Sequence, residues 1–311
     1  MPAPDKLHIP VLLSEVLAAL SPKDGGVYVD GTFGAGGYSA AILEAADCKV
    51  IGIDRDPNAI ALAADMKKKY GERLVLINAC FSQMAEVVKG KVDGVALDLG
   101  VSSMQIDNAE RGFSFQKDGD LDMRMSGEGM TAADVVNTLP EAELADIIYE
   151  YGQERFSRKV AAAIAKRRKE IPFTSTLDLA GVVATIVPRA KDGIHPATRT
   201  FQALRIYVND ELDELQKGLA AGAALLKPSG RLAVVSFHSL EDRIVKAFMQ
   251  EKAGKTTVAS RYMPVKNEQS EQDFQLFTKK PLVPSEEEVR LNPRSRSAKL
   301  RVLEKKERSG E

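Results

Sequence analysis

The 311-residue chain has two cysteines, three histidines and a net charge of only −1. Two cysteines do not make a disulfide framework, and neither Cys48 nor Cys80 has metal-ligand spacing. No apolar run approaches the length of a membrane span. The opening "MPAPDKLHIP" lacks the charged-then-apolar pattern of a secretory signal. Cytoplasm is therefore the expected compartment. The chain also has no internal repeat. The near-zero charge excludes less, because nucleic acid is met by local patches rather than by the total. What remains is an ordinary globular composition, 44% hydrophobic and 28% charged, long enough for one large domain or two.

The first hundred residues alternate strand and helix patterns. "HIPVLLSEVLAAL" has helical spacing, "GVYVD" reads as a strand, "YSAAILEAA" as a helix and "KVIGID" as a second strand. "PNAIALAADMKKKY" opens a helix at Pro57, and "RLVLIN" and "VDGVALDLG" are the third and fourth strands. This is the rhythm of βαβ units with a parallel sheet. From about residue 105 to 208 helical patterns take over: "TAADVVNTLPEAELADIIYEYG", "RFSRKVAAAIAKRRKE", "STLDLAGVVATIV" and "PATRTFQALRIYVN". A helix, a fifth strand "GRLAVVSFHS" and the helix "LEDRIVKAFMQ" follow. Beyond a charged, loop-rich stretch (252–295), "AKLRVLEK" is a last strand and "KKERSGE" a frayed tail. The expectation is an α/β sheet domain built from 1–104 and 209–311, with 105–208 inserted as a helical, substrate-recognising domain.

"DGTFGAGGYS" places four glycines after the first strand, where bare backbone lets a ligand approach the amides of the next helix. Gly34 and Gly36 fit a dinucleotide fingerprint, but Ser39 stands in the third glycine place. Asp30, directly before the glycines, would repel a pyrophosphate and suit a cationic amino group. Asp54 ends the second strand, where an acid accepts ribose hydroxyls; alternatively it caps the helix at Pro57. An adenosine that bears an amino group and no phosphate describes S-adenosylmethionine.

Asp98 ends the fourth strand in "VALDLGVSS". Enzymes that methylate exocyclic amines often carry an acid or amide here, followed by Pro-Pro-aromatic. Asp98 supplies the carboxylate without the prolines, and Ser102 and Ser103 add hydroxyls. The bland alternative is an acid that ties down its own loop. Methylation of a cytosine ring carbon would need a cysteine nucleophile near this point, and neither cysteine is placed for it.

Arg158, Lys159, Lys166, Arg167, Arg168 and Lys169 form a run uninterrupted by acids, and "NPRSRSAKLR" adds Arg294, Arg296, Lys299 and Arg301. Such runs either solvate a helix face or engage phosphates without reading sequence. Phe113, Phe115, Phe237 and His238 are candidates for stacking on an extruded base, or for core packing. His8 and His195 read as capping or packing residues.

With these residues in view, the chain resembles the MraW/RsmH family, the bacterial small-subunit rRNA cytosine-N4 methyltransferases. The resemblance rests on "HIPVLLSEVL", "DGTFGAGGYS", "GIDRDP", "DLGVSSMQID", "RGFSF", "DGDLDMRM", "HPATRTFQALRIYVN", "VVSFHSLEDR" and "NPRSRSAKLR", in family order along nearly the whole chain. It implies a class I, Rossmann-like methyltransferase fold and methyl transfer to N4 of cytidine 1402 in the decoding centre of 16S rRNA. It also implies cofactor contacts at Gly36, Gly37, Tyr38, Asp54, Phe81, Asp98 and Gln105, with Phe81 suited to the adenine. Many members have His where this chain has Tyr38, which is harmless if that contact is made through backbone. The family is also associated with a homodimer. Two rivals stay open: a nicotinamide-dependent dehydrogenase, opposed by Asp30 and Ser39, and a non-catalytic ribosome-assembly factor with a vestigial site. "DGDLDMRM", with Asp122 and Arg124, is open to clamping a metal ion, ordering a loop or neutralising arginines.

Overall fold

The apolar runs of the first hundred residues form four parallel strands, β1 (Val27–Asp30), β2 (Lys49–Asp54), β3 (Leu74–Asn78) and β4 (Val92–Asp98). A computed structural model describes residues 10–189, 193–255 and 273–307. β5 (Leu226–Ser236) lies parallel to β4. β7 (Lys299–Lys305) is antiparallel to β5, and β6 (Phe274–Leu276) is antiparallel to β7. The sheet order is β3-β2-β1-β4-β5-β7-β6.

Strand alternation sends side chains to both faces, each covered by an apolar layer. Tyr28, Ala96, Val235 and Leu300 join Val16 and Ile42 on one side; Val29, Leu97, Val234 and Leu303 join Leu219 and Val245 on the other. The chain leaves β1 toward β2 and β3, then crosses back to place β4 on β1's other side. That reversal opens a crevice at the carboxyl ends of β1 and β4, where open α/β sheets bind ligands.

Two compact units divide the chain. One comprises Met1–Gly100 with Leu212–Glu311, the other Val101–Glu211. The second is helical: Ala132–Thr138, Glu141–Gly152, Ser157–Arg167, Thr176–Ile186 and Thr198–Asn209 enclose a core of Leu144, Ile148, Val160, Ile164, Phe173 and Leu204. The sequence boundaries at 105 and 208 lie inside its span.

Several local expectations change. "PNAIALAADMKKKY" is two helices, Pro57–Leu62 and Ala64–Tyr70, broken where Ala63 leaves helical geometry (ψ 5°). Pro140 splits the pattern after Thr131, since proline removes an amide and restricts the residue before it. β6 escapes notice because three residues carry no readable alternation. The stretch counted as loop also holds a helix, Glu286–Leu291. The tail is partly ordered: Lys305 closes β7 and donates to the Leu226 carbonyl at 3.0 Å. His8 lies outside the described residues. Among those described, no helix is long and apolar enough to cross a membrane.

Candidate active site

The glycine loop is held open by its own hydrogen bonds. The Gly34 amide donates to Asp54 Oδ2 at 2.7 Å, and the Asp98 amide donates to Thr32 Oγ1 at 2.6 Å, so the ends of β2 and β4 both grip the loop that leaves β1. Gly36 has φ +76°, a left-handed conformation that favours glycine, and a Cβ there would lie 2.7 Å from Phe33 and Met66. It precedes helix Gly37–Ala45 without a capping side chain. The amides of Gly37 and Tyr38 therefore lack an N-cap side-chain acceptor, whereas the Ser39 amide meets Asp30. A Cβ on Gly37 would lie 2.2 Å from Pro10 Cγ, so Pro10 packs directly on this glycine.

Three aspartates end the strands around this loop, with unequal partners. Asp54 accepts from the Gly34 and Asp56 amides (2.7 and 2.8 Å); burial raises its pKa and these bonds partly offset it. The helix at Pro57 is capped instead by Asp56, which accepts from the Asn58 amide at 3.0 Å. Asp30 is 1% exposed, and its Oδ2 accepts from Ser39 Oγ at 2.7 Å. Burial raises its pKa to about 6 against the bonds from Ser39 and Thr32, with the charge of Asp54 adding to the rise. The Asp30 carboxylate is thus turned into the protein and tied to Ser39, a more interior position than an open contact for an amino group. Ser39 in the third glycine place supplies the hydroxyl that holds it.

Asp98 is the least satisfied of the three. The residue as a whole is half-buried, yet Oδ1 has no accessible surface and no hydrogen-bond partner. Burial, then the charges of Asp30 and Glu241, push its carboxyl well above the ordinary range. No ion pair with lysine or arginine reaches Asp30, Asp54 or Asp98 among the described residues.

Phe81 opens a 3-10 turn after β3. Its ring is set against Gly218, where a Cβ would lie 2.2 Å from Cδ2. Tyr38 is 4% exposed and its hydroxyl donates to the Val11 carbonyl. Its side chain belongs to the core, which leaves its backbone for any ligand contact. In the helical unit, Ser102 caps helix Ser103–Asp107: Ser102 Oγ accepts from the Gln105 amide (3.3 Å) and Gln105 Oε1 from the Ser102 amide (3.0 Å). These two side chains are thus engaged in ordering a turn, a different use from catalysis and cofactor contact.

The basic run divides. Arg167 bonds both oxygens of Asp178 (3.1 and 2.9 Å), and Arg168 bonds the carbonyls of Val136 and Leu139 (each 2.7 Å). Their internal bonds correct the reading of these two as phosphate contacts. Arg294 and Arg296 are exposed, whereas Lys299 and Arg301 pair with Asp242 (3.1 and 2.7 Å). Phe113 and Phe115 pack on the helical core, and Phe115 stacks on His195 and Phe201 with centroids 4.7 Å apart. His195 Nδ1 accepts from the Ala197 amide at 3.1 Å. Phe237 packs on the sheet layer. His238 caps helix Ser239–Lys252 and its Nε2 sits 3.1 Å from Glu241 Oε1, off the line of a hydrogen bond. Sequence reasoning missed Thr32, Ser39 and Glu241. Only Glu241 had a readable signal, the capping spacing of "HSLE". In "DGDLDMRM", Asp122 takes Arg124 through two bonds (2.9 and 2.7 Å), and Arg124 continues to the Gly129 carbonyl at 3.2 Å. That is loop ordering.

The description of the MraW methylase family matches residues 5–306. The chain belongs to that family. It is therefore a methyltransferase, and its cofactor is S-adenosylmethionine. A relative named ribosomal RNA small subunit methyltransferase H from Rhodospirillum rubrum is 54% identical over 308 residues, covering 96% of this chain and 94% of its own. One of the same name from Rhodopseudomonas palustris is 57% identical, covering 97% and 92%. Among solved structures, an rRNA methylase from Streptococcus thermophilus superposes with a TM-score of 0.39 at 12% identity, covering 95% of each chain, too loose a likeness to bear on function. The site suits the cofactor on its own evidence. A buried, unpartnered carboxylate oxygen on Asp98, with the charges of Asp30 and Glu241 acting on it, calls for positive charge, and a sulfonium nucleoside brings it.

Proposed function

We propose that the chain methylates small-subunit ribosomal RNA, at N4 of cytidine 1402 in the decoding centre of 16S rRNA. The names of the relatives support the RNA, and the ordered blocks shared with the MraW/RsmH family support the base and atom. The observation that carries the reaction class is the orphaned Oδ1 of Asp98 at the end of β4.

An exocyclic amine is a weak nucleophile because the ring withdraws its lone pair. A fixed acceptor for its N–H group aims that lone pair and favours the charge that develops on nitrogen. Asp98 is that acceptor. S-adenosylmethionine supplies an electrophilic methyl group and keeps the electron pair of the broken C–S bond as a neutral thioether. As the N–C bond forms, N4 becomes positive and must lose a proton, and the Asp98 carboxylate stabilises that charge and receives the proton. Asp54 has lone pairs left for the ribose hydroxyls. The uncapped amides at Gly37 and Tyr38 would hold the polar end of the cofactor, and Phe81 would pack on the adenine. Asp30 and Ser39 stiffen the loop. Ser102 and Gln105 order the segment that follows β4 in the chain, and Ser103 opens its helix.

The test is methyl transfer to small subunits isolated from cells lacking this modification. Asp98→Ala is expected to reduce the rate roughly 10²–10³-fold, with Asp98→Asn retaining more because it keeps an acceptor. Equal transfer by wild type and Asp98→Ala would remove Asp98 from the chemistry.

A further inference from the structure

A cavity of about 420 Å³ lies within the helical unit, lined by Asp146, Tyr149, Arg155, Phe156, Ser157, Arg158 and Lys159. It is built where helix Glu141–Gly152 hands over to helix Ser157–Arg167, and its size falls in the range of nucleotide-sized pockets, about 300–1,000 Å³. Its lining is unusual for this protein. Arg155 and Arg158 are exposed and make no hydrogen bond or ion pair among the described residues, and Lys159 lies 5.8 Å over the Phe156 ring. Tyr149 is 62% exposed, with no ring against it among the described residues. Three cations thus face one acid, Asp146, around an unpacked aromatic.

We propose that this cavity is an RNA contact site on the helical unit, taking one nucleotide of a single-stranded segment and its flanking phosphates. The proposal rests on the reading of the substrate as RNA and adds a place on the helical unit itself where that RNA is held. Arg155, Arg158 and Lys159 neutralise phosphates without reading sequence, and Tyr149 offers a flat face to a base. An acidic protein segment would satisfy the cations but leave the tyrosine without a use, so RNA is the better match to the whole lining. The arginines at the start of helix Ser157–Arg167 are available for this, whereas those at its end are held by Asp178 and by carbonyls.

The test uses the full chain, a fluorescent single-stranded oligoribonucleotide, and three variants: Tyr149→Ala, the pair Arg155→Ala/Arg158→Ala, and Lys166→Ala as an exposed cation outside the cavity. Tyr149→Ala is expected to weaken RNA binding on the order of tenfold with an unchanged salt slope. The arginine pair is expected to weaken it and to flatten the slope of log affinity against log salt by roughly 1.4, at about 0.7 per phosphate contact in single strands. Lys166→Ala should leave both nearly unchanged. These side chains are exposed, and unaltered thermal melting confirms that the variants fold. If wild type methylates subunits while Tyr149→Ala and the arginine pair bind RNA as wild type does, the cavity is not an RNA site although the substrate reading stands. Absence of any transfer by wild type would instead remove the substrate reading. A polyglutamate peptide that displaces the RNA at equal concentration would also overturn the proposal, because it has no base to stack.

Discussion

β4 carries an aspartate near each end, and the two live in opposite circumstances. Asp93, near the start, is bonded by Lys23 (3.0 Å), Lys227 (2.7 Å) and the Val27 amide (3.0 Å). Burial alone would raise its pKa, but these partners outweigh it and hold it below the ordinary carboxylate value. Asp98, at the finish, meets burial and two further acids with no cation, and its pKa goes up. One strand thus shows both uses of buried charge. A paired carboxylate locks an edge of the fold, whereas an unpaired one is tolerated where a ligand is to supply the missing partner. The same division runs through the rest of the molecule. Asp122, Asp178 and Glu211 are each ion-paired with an arginine, while among the described residues Asp30 and Asp98 have no such pair.

Exchanging alanine at the two positions breaks the comparison most severely. Asp98→Ala should lose roughly 10²–10³ in methyl transfer, about 3–4 kcal/mol of transition-state stabilisation, with little loss of resistance to urea. A variant that melts far below wild type and yet transfers normally would show Asp98 to be a structural residue.

The next largest effect concerns Asp30 and its dependence on pH. Its pKa is about 6 in the fold against 3.8 unfolded. Between those values the folded chain binds more protons than the unfolded one, so unfolding free energy falls as pH rises through this window. The penalty is absent below both values and fully present above about 6, where it amounts to about 3 kcal/mol. Asp30→Asn should therefore flatten the pH 4–6 slope in urea titrations of the cofactor-free protein. It should also be at least as stable as wild type at pH 7, less whatever the bond to Ser39 loses. Bound positive charge should draw the acids back to their ionised form, releasing protons on binding near pH 6. A slope of opposite sign would mean that Asp30 has a cationic partner after all.

Much of this contrast was legible in the sequence. Runs such as "VALD" and "KVIGID" end in acids, and a parallel strand buried on both faces delivers its last residue to the carboxyl edge whatever its neighbours are. The glycine loop was equally plain, since few structural needs cluster four glycines behind a strand. Partner choice was not legible. Ser39 looked like a missing glycine, yet it holds Asp30 from nine residues on, in the first turn of the next helix. Arg167 and Arg168 looked like a nucleic-acid surface. Their guanidiniums reach Asp178, Val136 and Leu139, up to 32 residues away in sequence, and such pairings are set by helix packing that local spacing does not encode. β6 was lost because three residues hold no periodicity.

Asp93→Ala comes next in size. It removes two lysine contacts and the acceptor for the Val27 amide, but Lys23 is 68% and Lys227 39% exposed, so both are rehydrated easily. The loss should stay near 1–2 kcal/mol in urea unfolding, with transfer per folded molecule unchanged. A drop in turnover comparable to that of Asp98→Ala would abolish the distinction between the strand's two ends.

Tyr38→Phe is expected to do least, and it sharpens the boundary of the cofactor site. The hydroxyl bonds the Val11 carbonyl in a buried setting where water does not replace it, so its removal should cost about 1 kcal/mol of stability. Tyr38 stands at the start of helix Gly37–Ala45 beside the glycines, but its ring points into the layer containing Leu12, Val16 and Ile42. Affinity for S-adenosylmethionine, measured by calorimetry, should therefore match wild type, because a contact through the peptide is indifferent to the phenol. A tenfold weaker affinity with unchanged stability would place the hydroxyl on the ligand, and would make the identity of this one side chain matter to the cofactor as much as the acids do.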